Sequence, residues 1–423
     1  MFRRPGHKRR WWLPVLHPRE GRRLPAELQP ENVTRLASAL PEGLRDPGLA
    51  ALLARIDEGH FLGGNRIEIY TRGEEAFGAM CAAIDQARSE VLVESYILKD
   101  DATGHGFADR LAAAAARGAT VRVLADFFGS FATHARFWAG MRRRGIEVRL
   151  FNPLFPHLFL QPFRDHRKIL VADRRVAFTG GMNIADEYGS ARRARRRGPW
   201  RDTQARVEGP TAWEMAVVFS EAWRRSGGSI ELEPLEKSGQ AGVPILTLDS
   251  RPGRGHGETA AVLAAIIAAA RRRVWVTNAY FAPRHRAVRL FREAVARGVD
   301  VRLLLPGRTD VPFVRHAGHG YYRELLEGGV RIWEYGGATL HAKTLVADDV
   351  ISIVGSTNLD FRSFHFNAEC NLVLLGESAG SAFTAAFEED LSRSTEVTRT
   401  GWRRRRPLHA LGDSAARLMA PLL

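Results

Sequence analysis

The sequence predicts a duplicated α/β protein: two tandem lobes, each a mixed or mostly parallel sheet flanked by helices, with the functional site where the lobes meet. Three observations lead there. DHRKILVADRRVAFTGGMNIADEY, from Asp165 to Tyr188, has the layout of HAKTLVADDVISIVGSTNLDFRS, from His341 to Ser363. AAARGATVRVLAD (Ala114 to Asp126) and EAVARGVDVRLLLP (Glu293 to Pro306) each read as a helix closed by Arg-Gly and followed by an alternating strand. Both copies then end in a helix with large apolar residues four apart, Phe219 and Trp223 in one and Phe387 and Leu391 in the other.

Residues 1–60 read as a basic N-terminal arm with short helices in ENVTRLASALPEGL and PGLAALLARI. The first lobe is expected over 61–226. There AIDQARSEVLVESYIL is a helix end feeding a strand, and GIEVRLF is a later strand. The Gly- and Ser-containing stretch over 227–242 reads as a linker. The second lobe, 243–395, repeats the order: IIAAARRRVWVTNAYF sets Val274 against Val91, and GVRIWEY parallels GIEVRLF. In the basic tail, 396–423, four arginines precede Leu408, Leu411, Ala415, Leu418 and Leu422 at helical spacing.

The 62 Lys and Arg residues against 47 Asp and Glu leave a formal charge of +15. An anionic partner follows, whether nucleic acid, an acidic membrane surface or a phosphate-bearing substrate. Two cysteines, Cys81 and Cys370, are too few for a disulfide framework or a four-ligand zinc site, so a reducing compartment is expected. The longest apolar run, AAVLAAIIAAA, suits a core helix and falls short of a membrane span, and the first residues lack the apolar core of a secretory signal. The chain is therefore expected in the cytosol, soluble or peripheral.

The repeated stretch carries the chemistry. His166, Lys168 and Asp173 are spaced as His341, Lys343 and Asp348, and Asn183 and Asn358 follow their histidines at the same interval. Along a strand, residues i and i+2 share a face, so each histidine points the same way as its lysine. Such a lysine in an apolar run is uncommon once, and here it recurs in register. Two histidines, two lysines and two asparagines converging between lobes suit a phosphodiester. Lysines neutralise phosphoryl oxygens, Asn183 and Asn358 donate to them, and one histidine attacks phosphorus while its twin protonates the leaving oxygen. Asp173 and Asp348 are taken as catalytic, with capping of the neighbouring turn an equal alternative. The lysines supply the charge a metal would, so neither metal nor other cofactor is expected. His316 and His319 show no matching acid cluster in the sequence.

These motifs resemble the phospholipase D superfamily, whose HxKxxxxD pattern is matched twice, and within it the bacterial cardiolipin synthases, here of the type without N-terminal transmembrane helices. The resemblance covers nearly all the chain after the arm, from GGNRIEIYTRGEEAF (Gly63 to Phe77) to GSTNLDFRSFHFNAEC (Gly355 to Cys370). It implies phosphatidyl transfer between two phosphatidylglycerol molecules, giving cardiolipin and glycerol through a phosphatidyl-histidine, with phosphatidylethanolamine a second candidate lipid. It further implies His166 as nucleophile and His341 as acid and then base, the reverse remaining open. A downstream acid would orient each ring, Glu369 for His341 and Asp202 for His166.

An arginine-rich insertion, SARRARRRGPW, separates Asn183 from Asp202 and reads either as a headgroup contact or as a solvated loop. The termini pair arginines with Trp11, Trp12, Leu13 and the tail leucines, which suits an anionic bilayer, the cytoplasmic face of a bacterial membrane, more than nucleic acid. The alternative is a tail that packs on the protein. Hydrolysis to phosphatidic acid shares every catalytic residue and is the rival activity; a nuclease is a weaker one. Oligomeric state is not legible.

Overall fold

The computed structural model describes residues 24–153, 163–189, 198–233, 235, 241–250, 257–404, 413, 416 and 417. Sixteen strands form one sheet. The first half supplies β1 (Leu62–Tyr70), β2 (Glu90–Ser95), β3 (Thr120–Asp126), β4 (Glu147–Phe151), β5 (Arg164–Asp165), β6 (Lys168–Ala172), β7 (Val176–Gly180) and β8 (Gln204–Glu208). The second supplies β9 (Val243–Ser250), β10 (Arg273–Asn278), β11 (Asp300–Pro306), β12 (Arg331–Tyr335), β13 (Lys343–Ala347), β14 (Ile351–Gly355), β15 (Asn367–Leu375) and β16 (Ser394–Val397).

Outward from the centre the order is β1-β8-β7-β6-β2-β3-β4 on one side and β9-β15-β14-β13-β10-β11-β12 on the other, closed by β16. The repeat in sequence is thus a repeat in topology. The halves join edge to edge where β1 pairs antiparallel with β9. Within each half parallel pairing runs through β2-β3-β4 and β10-β11-β12, where helices such as Ala102–Ala116 and His285–Ala296 make the crossovers, and between the halves β5 pairs in parallel with β15. The tight β6-β7 and β13-β14 turns are too short for a crossover and impose antiparallel pairs. The sheet is therefore mixed.

Helices cover both faces. One face carries two separate cores, one per half, and helices Pro30–Ser38 and Pro47–Asp57 bury Val33, Ala37, Leu49, Leu53 and Ile56 in that of the second half. The other face carries one core common to both halves. Phe219 and Trp223 of helix Pro210–Arg225 and Phe383 and Phe387 of helix Glu377–Leu391 lie in it with Ile245 and Leu372. The tail positions described lie against the protein, with Ala416 packed on Ala282 and Ala317 and Arg417 donating to the Gly320 carbonyl at 2.8 Å. The remaining tail leucines, the first 23 residues, part of the linker and the arginines of the insertion fall outside the described residues.

Of the two roles open to Asp173 and Asp348, the contacts present are those of capping. Both aspartates sit at the far ends of β6 and β13, in turns whose residues 173 and 174, and 348 and 349, have positive φ. Asp173 accepts from the backbone amides of Arg88, Ser89 and Glu90 at 2.8–2.9 Å, and Asp348 from those of Arg271, Arg272 and Arg273 at 2.8 Å. Each carboxylate thereby ties its hairpin to the start of the neighbouring strand, a strand's length from the histidine. The amides that lead into each strand have no ladder partner there among the described residues, and each carboxylate gives them an acceptor.

Asp173→Ala or Asp348→Ala should cost roughly 1–3 kcal/mol of stability, read as a lower melting temperature, with turnover of the folded enzyme little changed. A loss of turnover without a loss of stability would restore a catalytic role.

Candidate active site

The site forms where strands exchange partners between the halves. β5 pairs in parallel with β15, and the His166 amide donates to the Ala368 carbonyl at 2.9 Å. Reciprocally, Leu340 bridges Arg201, and the His341 amide donates to the Arg201 carbonyl at 2.7 Å. Each histidine is thus held on the backbone of the opposite half, one residue before that half's downstream acid.

This crosses the acids over. His166 Nδ1 lies 2.9 and 3.1 Å from the two carboxylate oxygens of Glu369, and His341 Nδ1 lies 2.7 Å from Asp202 Oδ2. The sequence-based assignment named both acids but gave Glu369 to His341 and Asp202 to His166. The structure pairs them the other way, because each acid directly follows the residue whose carbonyl its partner histidine binds. With Nδ1–H directed at a carboxylate, each ring keeps Nε2 as its free lone pair.

Strand alternation places the rest. Lys168 and Lys343 share faces with their histidines, and each donates to its own histidine's carbonyl, Lys168 at 2.6 Å. Lys343 Nζ also lies 3.1 Å from His341 Nε2. Arg167, between His166 and Lys168, turns the opposite way and is buried against Glu94 at 3.3 Å and Asp249 at 2.5 Å. Asn183 is already engaged: Oδ1 accepts from the Ile97 amide at 3.1 Å and Nδ2 donates to the Tyr188 hydroxyl at 3.0 Å. Asn358 Oδ1 is buried with no hydrogen-bond partner among the described residues. A flipped amide would present Nδ2 there, a donor suited to a phosphoryl oxygen.

Sequence reasoning passed over the aromatic walls. Tyr96 stands edge-on to His166, ring centres 4.9 Å apart, with Lys168 Nζ 5.3 Å from the Tyr96 ring centre. Tyr188, Trp200 and Tyr280 surround His341 at 5.7, 5.5 and 5.7 Å. The one available signal was a tyrosine just beyond the same strand in each copy, in SYIL and NAYF. Sequence reasoning also found no acids for His316 and His319. Asp413, 2.8 Å from His316 Nδ1, and Glu334, 3.0 Å from His319 Nε2, supply them from distant segments. The two histidines and Asp413 bring potential ligand atoms within 4.8 Å of one another. They lie on helix Pro312–Glu327 and the tail, and no group of the paired-histidine site rests on them.

Burial sets the electrostatics. His166 is pushed down to about 4, first by desolvation, with Lys168 and Lys343 adding and Glu369 opposing. His341 is lowered by burial and by Lys343. Burial likewise brings Lys168 down to about 7 and Lys343 to about 8. On Glu369 burial acts upward, but His166 and Lys168 outweigh it and hold the carboxyl below its usual value. Near neutral pH the site therefore offers a neutral His166 beside ammonium groups at the edge of deprotonation.

A doubled sheet with a His-Lys pair at corresponding strand ends, backed by acids from opposite halves, defines a phospholipase D-like phosphodiester-transfer protein. More narrowly, the chain belongs to the cardiolipin synthase family of that class: residues 80–191 and 263–391 match the profile described as cardiolipin synthase, PLD-like domain. It is 35% identical over 367 residues to cardiolipin synthase A of Pseudomonas putida, spanning 86% of this chain and 76% of the relative. It is 29% identical over 417 residues to cardiolipin synthase 1 of Bacillus cereus, spanning 96% and 82%. Among solved structures, a phosphatidylserine synthase from Haemophilus influenzae Rd KW20 superposes with a TM-score of 0.69, covering 93% of this chain and all of that one, at 14% identity. That last likeness is one of fold.

The crossed acids have a direct check. Glu369→Gln should move the imidazole nitrogen resonances of His166 and leave those of His341 in place, and Asp202→Asn should do the converse. Each change should slow turnover by roughly 10²–10⁴. The lysines give a second check, by titration with sulfate, whose charge is fixed over the range. Because both lysines are lowered, they are charged at low pH and neutral at high pH. Sulfate affinity should fall roughly tenfold or more as pH rises from 6 to 9, through 7 and 8; a flat profile would place the ammonium groups elsewhere.

Proposed function

We propose that the chain is a cardiolipin synthase that transfers a phosphatidyl group from one phosphatidylglycerol to another. His166 Nε2 attacks phosphorus, the bond to the glycerol oxygen breaks, and His341, starting as the imidazolium that Asp202 stabilises, supplies that oxygen's proton from Nε2. The products are free glycerol and a phosphatidyl group on His166. The hydroxyl of a second phosphatidylglycerol then gives its proton to His341 and attacks phosphorus. The nitrogen–phosphorus bond breaks, cardiolipin leaves, and both histidines return to their starting states. Lys168, Lys343, the Asn358 amide and the one Nδ2 hydrogen that Asn183 does not give to Tyr188 hold the non-bridging oxygens, where charge builds up. Glu369 and Asp202 orient the rings and stabilise each as it becomes cationic.

The observation that carries this reading is the reciprocal histidine-carboxylate pair, one half-site from each lobe, in a chain of this family. A further feature favours lipid over nucleic acid. A cavity of about 250 Å³ runs between helices Glu258–Ala269 and His285–Ala296 and the sheet, with Lys343 and Asn278 in its wall and Leu263, Ala264, Leu290 and Phe291 lining it. Apolar cavities of about 150 Å³ already stay dry and take up hydrocarbon, so this one suits part of an acyl chain beside the phosphate-binding lysine. The lobes are assigned to 61–226 and 243–395. No helix among the described residues is long and apolar enough to cross a membrane. The enzyme is assigned to the cytoplasmic face of a bacterial membrane, held there peripherally.

Incubation with phosphatidylglycerol vesicles should yield cardiolipin and glycerol in equal amounts, and neither from the folded His166→Ala or His341→Ala variants. Acid quenching with labelled lipid should leave label on wild-type protein and none on His166→Ala. Label that survives in His166→Ala and vanishes in His341→Ala would exchange the two roles. Phosphatidic acid alone would make the enzyme a hydrolase, and no lipid product would overturn the reading.

A further inference from the structure

Five large hydrophobic side chains are exposed among the described residues, and four of them fall on two segments, the loop after β3 and the loop after β11 with the first turn of helix Pro312–Glu327 that it enters. Phe128 and Phe131, 58% and 72% exposed, follow β3; Val311 and Phe313, 36% and 38% exposed, follow β11. β3 and β11 hold the same place in the two halves, so exposed apolar side chains follow corresponding strands twice, with Phe131 and Val311 at the same distance from the strand end. An accidental exposed residue would not be expected to recur under the pseudo-symmetry.

Both loops stand on the edge of the sheet where the site opens. Ser95 of β2 is level with Lys168 on one side and with Ala125 of β3 on the other. The first loop is fixed there. Asp126 accepts from the amides of Phe128, Gly129 and Asp165 at 2.9 Å, and Ser130 Oγ accepts from the Leu98 amide at 3.0 Å. A Cβ at Gly129 would lie 2.2 Å from the Tyr96 carbonyl, so this loop packs tightly on the residue that stands against His166. The second loop is tied to the site through Asp310, which accepts the Tyr280 hydroxyl at 2.8 Å, and Tyr280 stands against His341.

The chemistry of the loops is that of a water-lipid boundary. Arg164 lies 4.5 Å from the centre of the Phe128 ring, and Arg308 is exposed on the other loop, so cations accompany the apolar groups. Exposed apolar groups presented by well-bonded loops, beside cations, on a chain of charge +15 fit an anionic lipid surface better than water.

We propose that loops 127–133 and 307–313 are the membrane-seating rim of the enzyme. They lower Phe128, Phe131, Val311 and Phe313 into the headgroup region on either side of the site mouth, so that two lipids can enter from one surface. The inference rests on the lipid-transfer reading above, but its test is separable from it. In the full chain, changing all four residues to serine should weaken binding to phosphatidylglycerol vesicles roughly tenfold or more and lower kcat/KM on vesicles in step. Activity on dispersed short-chain phosphatidylglycerol should stay within about twofold. Phe131→Cys and Phe313→Cys, each in a Cys81→Ser background and carrying an environment-sensitive dye, should shift to blue emission when vesicles are added.

Unchanged vesicle binding by the quadruple variant together with unmoved dyes would overturn the proposal. So would a change from dimer to monomer with the dyes still reporting water, since the rim would then be a contact between copies. Dye insertion without cardiolipin synthesis would uphold the rim and remove the transfer reading instead.

Discussion

The site depends on one constraint: each histidine's backbone amide is hydrogen-bonded to a carbonyl of the opposite half. The Ala368 carbonyl holds His166 and the Arg201 carbonyl holds His341. A lobe alone would leave its histidine without this bond and without its carboxylate. The edge pairing of β1 with β9 and the core shared beneath helices Pro210–Arg225 and Glu377–Leu391 serve this exchange, because they fix one half against the other over many contacts. Preorganised groups act well only when their supports are rigid, and here the supports are strands within one continuous sheet.

That rigidity permits the burial of charge. Lys168, Lys343, His166 and His341 are all nearly inaccessible, and desolvation is the first cause of every downward shift among them. A buried ammonium without an acceptor would be costly. Each lysine instead donates to the carbonyl of its own histidine, and Glu369 and Asp202 offset part of the desolvation of Lys168. The negative charge of a phosphodiester would offset the remaining desolvation of both lysines, so the site favours an anionic substrate.

Most of the doubled fold and the identities of the His-Lys pairs and both acids were legible in the sequence, because period-two alternation and a repeated interval are local signals. The pairing of acid with histidine was not, since it depends on how two halves dock. His166 and Glu369 are distant in sequence, and no local spacing distinguishes a partner in the same half from one in the other. Asp173 and Asp348 were left between two roles for the opposite reason. Their role was local, and ADRR and ADDV between apolar runs carried a turn signal that the shared motif overshadowed. The acids for His316 and His319, like the rings around His341, arrive from separate segments and left little trace in spacing.

The duplication is imperfect where chemistry requires it to be. Between His166 and Lys168 stands Arg167, buried among Glu94, Asp165 and Asp249, whereas between His341 and Lys343 stands Ala342, packed in the common core. Tyr188 and Trp200, on either side of the insertion in the first copy, both reach His341, and Lys343 touches its ring, while Lys168 reaches only the carbonyl of His166. In a symmetric pair one shared proton would decide at random which ring attacks and which donates. Unequal surroundings built on a common frame instead bias where that proton sits, and so which histidine takes which part in a two-step transfer.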